Sequence, residues 1–147
     1  MNLVVREIIE DLIPAIDANF RTISDREHRA LAGLSMGAGQ TLAIGLRNLD
    51  KFSALGMFSR PPLNNFDVKT AFDGVMADTE AFNKKLHVFW WGVGTAETGI
   101  YNSIQETRAA LTKAGVQFTY TEYPGLAHEW LIWRKNLHDC APLLFQW

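Results

Sequence analysis

The chain has 147 residues, of which 48% are hydrophobic and 20% are charged, and its formal net charge at pH 7 is −2. This length suits one domain with a buried core, which we expect to span residues 1–147. The charge offers no electrostatic basis for binding nucleic acid or an anionic membrane, and no stretch approaches the roughly 18 apolar residues of a membrane span. Cys140 is the single cysteine, which excludes an internal disulfide. No secretory signal pattern opens the sequence, and its localisation stays open.

The spacing of apolar residues predicts helices and strands that alternate along the chain. An amphipathic helix is expected over 3–20, with a kink at Pro14. The later elements, in chain order, are a strand over 29–34, a helix over 36–48, a strand over 52–58, a loop over 59–67, a weak helix over 68–77, a short helix from an Asp78 cap to Lys84, a strand over 86–93, a helix over 99–114 that ends at Gly115, a strand over 116–123 and a helix over 129–138. This order predicts an α/β domain with about four mostly parallel strands flanked by helices.

The segment GLSMG places Ser35 between Gly33 and Gly37, after a predicted buried strand and before a predicted helix. A tight turn of this kind lifts the serine hydroxyl out of the sheet, and the glycines relieve its crowding. The backbone N–H of Met36 could then donate to an oxyanion. Ser35 is therefore a candidate nucleophile. The alternative is a glycine-rich turn in which Ser35 only caps the helix. Nucleotide binding fits poorly, because the third glycine of the dinucleotide motif and any P-loop pattern are missing.

A serine nucleophile needs a base, and the C-terminal ends of parallel strands share one edge of a sheet. His128 follows the last predicted strand in the segment PGLAHEW and is the candidate base. Its alternative role is that of a capping or surface histidine. The other three histidines lie at strand starts or in the last helix: His28, His87 and His138. The HE pair does not begin a zinc-binding HExxH motif, because Ile132 replaces the second histidine.

Glu97, in the segment GVGTAETG after the third predicted strand, is the candidate acid that would orient the base and stabilise its charged form. The alternatives are a solvated loop glutamate at this position and Glu129 as the acid. For the substrate wall we expect aromatic and proline residues near the strand ends, and each tryptophan could equally belong to the core. These candidates are Phe58, Trp130, Trp133, Pro61 and Pro62.

The segments GLSMGAGQT, GVGTAE and PGLAHEW resemble the putative-esterase family of α/β hydrolases, and within it the feruloyl and acetyl-xylan esterases, which are related to esterase D and the enterochelin esterases. The segments FNKKLHVFWWGVGTAE and HEWLIWRKNLHDCAPLLF resemble the feruloyl-esterase-like branch. The resemblance implies a serine carboxylic ester hydrolase, with no cofactor or metal, that acts on feruloyl or acetyl esters of plant cell wall polysaccharide. It implies Ser35 as nucleophile, His128 as base and Glu97 at an acid position where many relatives have aspartate.

The resemblance covers only the C-terminal half of that fold. It implies that a loop upstream of this sequence supplies the second oxyanion donor, so we expect weak activity with the Met36 N–H alone. The strand over 29–34 should be a sheet edge, and the helix over 3–20 should be partly uncovered, which predicts a homodimer whose interface includes residues 3–34. The competing hypothesis is a catalytically impaired module that binds a polysaccharide or a protein through aromatic surfaces.

Overall fold

A computed structural model describes residues 3–61 and 66–147 and has helices packed on a four-stranded parallel sheet, which confirms the predicted α/β fold. The strands are β1 (Ala30–Leu34), β2 (Ala54–Phe58), β3 (Val88–Gly94) and β4 (Thr119–Tyr123). The α-helices are α1 (Leu3–Arg6), α2 (Ile13–Asn19), α3 (Met36–Gly45), α4 (Ala71–Gly74), α5 (Thr79–Asn83), α6 (Thr98–Ala114) and α7 (Trp130–Cys140). In the described part of the chain, no helix is long and apolar enough to cross a membrane.

The sheet has the order β1-β2-β3-β4, and each neighbouring pair is parallel. Leu34 and Phe58, the last residues of β1 and β2, pair with each other, and Phe58 also pairs with Gly92. Strand β3 runs two residues further to Gly94, which pairs with Tyr123 at the end of β4. Both central strands are buried over their whole length, as expected for the uninterrupted apolar runs ALGMF and VFWWGVG. The loops that follow the strands therefore meet at one edge of the sheet.

Apolar side chains cover both faces of the sheet, because successive residues of a strand point to opposite sides. On one face Trp91 packs in a cluster with Leu42 of α3 and Leu111 of α6. On the other face Trp90 packs with Ile132 and Cys140 of α7. Helix α7 thus covers the face opposite α3 and α6, and its start lies beside the strand ends.

The N-terminal helix is irregular next to Pro14. Between α1 and α2 the chain forms a π-helix, Glu7–Leu12, and the N–H of Ile13 donates to the carbonyl of Ile8, five residues back. Proline has no N–H, and its ring crowds the carbonyl four residues earlier, so a regular α-helix is disfavoured there. The sequence predicts a kink at Pro14, and the structure has a π-helical stretch directly before it.

Between β2 and β4, two predictions about the ends of helices are confirmed and one predicted helix is wrong. The Asp78 carboxylate accepts the N–H of Ala81 at 3.0 Å, and Gly115 ends α6 with a φ of +77°, both as predicted. The prediction of a weak helix over 68–77 was wrong. Only the four residues of α4 are assigned as helix there, and two of them, Phe72 and Asp73, have positive φ angles of 52° and 63°. Part of the loop expected over 59–67, including Pro62, lies outside the described residues.

Candidate active site

Ser35 lies in the sharp turn between β1 and α3, and its backbone is strained. Its φ of 51° and ψ of −119° lie in a region that non-glycine residues rarely adopt. The N–H of Ser35 donates to the carbonyl of Phe58 at 2.8 Å, and its own carbonyl accepts the N–H of Ala38. The end of the neighbouring strand and the first turn of α3 therefore hold this residue in place.

The two glycines of the motif differ in what they contribute to the turn. A Cβ at Gly33 would lie 2.3 Å from the carbonyl oxygen of Gly37, so only glycine fits there. A Cβ at Gly37 would meet nothing within 4 Å. The expectation that both glycines relieve crowding is correct for Gly33 and wrong for Gly37, since it is the Gly37 backbone that crowds Gly33.

The structure brings the predicted nucleophile, base and acid into one hydrogen-bonded chain. Nε2 of His128 lies 2.9 Å from Oγ of Ser35, and Nδ1 of the same ring lies 2.6 Å from Oε1 of Glu97. The three residues follow β1, β3 and β4, whose C-terminal ends share an edge of the sheet. This sequence of contacts is the geometry that a serine nucleophile, a general base and an orienting acid require.

Both carboxylate oxygens of Glu97 lie within hydrogen-bond distance of a donor. Its side chain has no exposed surface, and its Oε2 accepts the N–H of Gly94 at 2.7 Å. An ionised carboxylate can accept from Gly94 and from His128 at once. A proton held on Nδ1 of His128 leaves the Nε2 lone pair facing Ser35. The other candidate acid, Glu129, is the N-cap residue of α7, where its side chain makes no capping hydrogen bond.

Met36 is the first residue of α3, and its side chain is exposed. The first N–H groups of a helix have no acceptor within the helix, and the helix N-terminus carries a partial positive charge. The N–H of Met36, directly after Ser35, therefore has no acceptor within α3 and stays the candidate oxyanion donor.

The aromatic residues expected on the substrate wall separate into two groups. Trp130 is 70% exposed and packs edge-to-face on Trp133, with the ring centres 5.4 Å apart. Trp133 in turn packs at right angles to the His128 ring at 5.0 Å. The two tryptophans of α7 therefore form an aromatic surface directly beside the candidate base.

Phe58 does not belong to this surface, which corrects the sequence-based expectation. Its side chain is 5% exposed and packs edge-to-face on Trp90 in the core. The residue contributes to the site through its carbonyl, which accepts the N–H of Ser35.

Sequence reasoning also missed Ser59, a buried residue with a φ of 57° whose Oγ accepts the indole N–H of Trp133. No local motif marks Ser59, because its role depends on a helix 74 residues away.

Comparisons with known proteins identify relatives of this chain. The family described as putative esterase matches residues 2–144. An endo-1,4-beta-xylanase/feruloyl esterase of Xylanibacter ruminicola is 34% identical over 141 residues, which make up 95% of this chain and 17% of that protein. A solved ferulic acid esterase has 26% identity and a TM-score of 0.73, with 93% of this chain and 58% of the other covered.

A ferulic acid esterase of Anaeromyces mucronatus shares the fold, with 21% identity, a TM-score of 0.74 and coverage of 96% of this chain and 53% of the other. The chain thus spans little more than half the length of these solved structures and a smaller part of the Xylanibacter protein. The match to nearly every residue and the shared α/β architecture lead to one conclusion: the chain belongs to the putative esterase family.

Proposed function

We propose that this chain carries a serine esterase site that hydrolyses carboxylic esters by acyl transfer. The observation that carries the proposal is the hydrogen-bonded chain from Ser35 through His128 to Glu97, with distances of 2.9 and 2.6 Å. A serine hydroxyl is a poor nucleophile unless a base lies within hydrogen-bond reach. The named relatives, which are feruloyl and ferulic acid esterases, support the same reaction class.

In the proposed reaction, Oγ of Ser35 attacks the ester carbonyl while its proton passes to Nε2 of His128. The N–H of Met36 donates to the oxyanion of the tetrahedral intermediate. The intermediate collapses, the C–O bond to the alcohol breaks, and the alcohol leaves with the proton from His128. Water then attacks the acyl-enzyme by the same route and releases the acid and free Ser35. Glu97 keeps its hydrogen bond with Nδ1 of His128 and stabilises the charged imidazole.

For the substrate we propose feruloyl esters of plant cell wall polysaccharide, with acetyl esters as the simpler second class. The relatives' names support the feruloyl group. The exposed ring of Trp130, beside the candidate base, offers a flat apolar surface on which a phenolic ring or a sugar ring could stack.

A second function, that of a catalytically impaired binding module, has one observation in its favour: Trp130 of α7 is 70% exposed and packs edge-to-face on Trp133. If turnover needs an oxyanion donor besides the N–H of Met36, this aromatic surface could still bind a polysaccharide or a protein. Losing one oxyanion donor lowers turnover by about 10²–10³-fold.

A fluorophosphonate probe separates the two functions, because it reacts covalently with an activated serine and needs no matching substrate. We expect stoichiometric labelling of the folded protein at Ser35, found by peptide mass spectrometry, and loss of labelling in Ser35→Ala. The matched control is Ser24→Ala, which removes the hydroxyl of an exposed serine and should label like the wild type. No labelling of folded wild-type protein would contradict the esterase and favour the binding module.

A further inference from the structure

The proposed reaction needs His128 in one orientation, but the residue lies in the loop before α7 with its side chain 38% exposed. Among the described residues, the two ring nitrogens make polar contacts with Glu97 and Ser35. These bonds leave the ring free to tilt about the line that joins them. A contact across the ring is needed to stop that tilt, and Trp133 makes one, perpendicular to the ring at 5.0 Å.

Trp133 is held in turn by Ser59, the residue directly after β2. The indole N–H of Trp133 donates to Oγ of Ser59 at 3.2 Å. Ser59 is fully buried, and its N–H donates to the carbonyl of Gly92 at 2.8 Å. The position of the Trp133 ring is therefore tied to the end of the sheet rather than to α7 alone.

Ser59 shares three backbone features with Ser35, one strand further along the sheet. Each serine directly follows a strand, each has a positive φ, and each donates its N–H to a carbonyl of the neighbouring strand, that of Phe58 or that of Gly92. A buried non-glycine residue in this region is strained and persists only where its surroundings hold it. At Ser35 the strained turn presents a hydroxyl to His128. At Ser59 a turn that also has a positive φ presents a hydroxyl to the indole that packs on His128.

We propose that Ser59 and Trp133 are positioning residues that fix the plane of the His128 ring for proton transfer. The proposal rests on the proposed esterase function. It assigns no contact with the substrate to either residue. The hydrogen bond from Trp133 to Ser59 holds the indole, and the edge-to-face contact of the indole with His128 limits the tilt of the base.

Variants at both ends of the Ser59–Trp133 hydrogen bond test the proposal. Ser59→Gly relieves the positive φ and removes the hydroxyl, whereas Trp133→Phe keeps an aromatic ring and removes the N–H. With an aryl acetate substrate we expect each variant to lower kcat about tenfold and to change KM by less than about twofold. Because both variants break the same bond, the double variant should lose no more than either single one.

Two readouts separate a positioning role from a merely structural one. The far-downfield proton NMR signal of the His128 Nδ1–H should broaden or shift in Ser59→Gly and in Trp133→Phe. Thermal unfolding should show that Ser59→Gly stays folded, since glycine tolerates its φ. Trp147→Phe is the matched control: it removes an indole hydrogen bond, to the carbonyl of Glu27 at the other end of the sheet, and should keep wild-type kcat and NMR signal.

Unchanged kcat and an unchanged downfield signal in folded Ser59→Gly would overturn the proposal. Multiplying losses in the double variant would also overturn it, because the two residues would then act separately. If the wild-type protein shows no turnover, the proposed esterase function fails, and the NMR comparison still decides whether Ser59 and Trp133 hold the His128 ring.

Discussion

Glu97 accepts hydrogen bonds on both carboxylate oxygens, from the N–H of Gly94 and from Nδ1 of His128. A glutamine has only one acceptor oxygen, so in Glu97→Gln one of these donors would face an NH₂ group. If the NH₂ group faces His128, the ring takes the tautomer whose Nε2 carries the proton and cannot accept one from Ser35. We expect kcat for an aryl acetate to fall about 10³–10⁴-fold in Glu97→Gln.

The control for this prediction is Glu129→Gln, which makes the same chemical change one residue from the candidate base. Because the Glu129 side chain lies at the exposed start of α7, we expect kcat to change by less than about twofold. A larger loss in Glu129→Gln than in Glu97→Gln would show that the acid is assigned to the wrong residue.

Ser35→Ala should abolish hydrolysis of an aryl acetate and leave the fold intact. The strained turn is held by backbone hydrogen bonds to Phe58 and Ala38, which alanine keeps. Turnover is measured with the activated ester, and folding by circular dichroism and thermal unfolding. Wild-type turnover in the variant would place the activity at another residue or in a contaminant.

The raised pKa of the Cys140 thiol predicts that the protein becomes less stable at alkaline pH. Burial raises the pKa of this thiol to about 11 from a reference value of 9.0. Between these values the unfolded chain loses the proton and the folded chain keeps it, so the free energy of unfolding falls as the pH rises. The thiol should contribute roughly 2–3 kcal/mol to this fall.

Urea unfolding at several pH values between 9 and 11 measures this contribution. Cys140→Ala has no thiol to titrate, so its free energy of unfolding should fall less steeply with pH than that of the wild type. The comparison concerns the slope, because the substitution also changes packing beside Gly56. Equal slopes would contradict the raised pKa of Cys140.

At the scale of the elements, Gly92 shows how closely α7 packs on β3. A Cβ at this position would lie 1.8 Å from Oδ1 of Asn136 in α7 and 2.3 Å from the ring of Trp90, and both side chains are buried. Neither neighbour can move into open space. Gly92→Ala should therefore lower the free energy of unfolding by about 3 kcal/mol or more, as measured by urea unfolding.

Gly99 provides the matched control for that substitution. It lies near the start of α6, where a Cβ would meet nothing within 4 Å. Since alanine restricts the unfolded chain and favours a helix, Gly99→Ala should raise the free energy of unfolding by about 0.5 kcal/mol. If Gly92→Ala were as stable as Gly99→Ala, α7 would not be docked on β3 as described.

At the scale of the whole molecule, β1 lies at one edge of the sheet, as the sequence predicts. A cavity of about 540 Å³ separates this edge from the N-terminal helix, and most of the residues that line it are apolar. Several large apolar side chains of this region are exposed: Leu3, Leu12, Ile16, Phe20 and Ile23. An open strand edge beside an apolar groove favours association with another chain.

We therefore expect a homodimer or a higher oligomer at micromolar concentration, with residues 3–34 in the interface. A two-fold dimer would pair this surface with its own copy, and exchange of the N-terminal helix between chains is a variant of the same arrangement. Sedimentation velocity measures the state, and Leu12→Glu should shift it toward monomer. The control, Leu137→Glu, alters an exposed leucine of α7 and should leave the state unchanged. A stable, folded wild-type monomer would contradict the prediction.

Sequence reasoning was most successful where the cause is local. The requirement for glycine at Gly33, the Asp78 cap and the end of α6 at Gly115 each depend on residues within a few positions, and the structure has all three. The apolar runs of β2 and β3 predicted buried parallel strands for a similar reason, since burial on both faces leaves no polar alternation. The sequence by itself thus determined the fold class, the strand order along the chain and the turn at Ser35.

Tertiary structure decided what depends on residues far apart in the chain. The pairing of β3 with β4 sets Glu97 against His128, 31 residues away, and buries the carboxylate completely. The packing of α7 on the sheet turns Phe58 into a core residue and gives Ser59 a partner in Trp133. Sequence patterns report the periodicity and chemistry of neighbouring residues. They do not report which side chains meet when parallel strands and their connecting helices close around a core, and that closure set the surroundings of the candidate base.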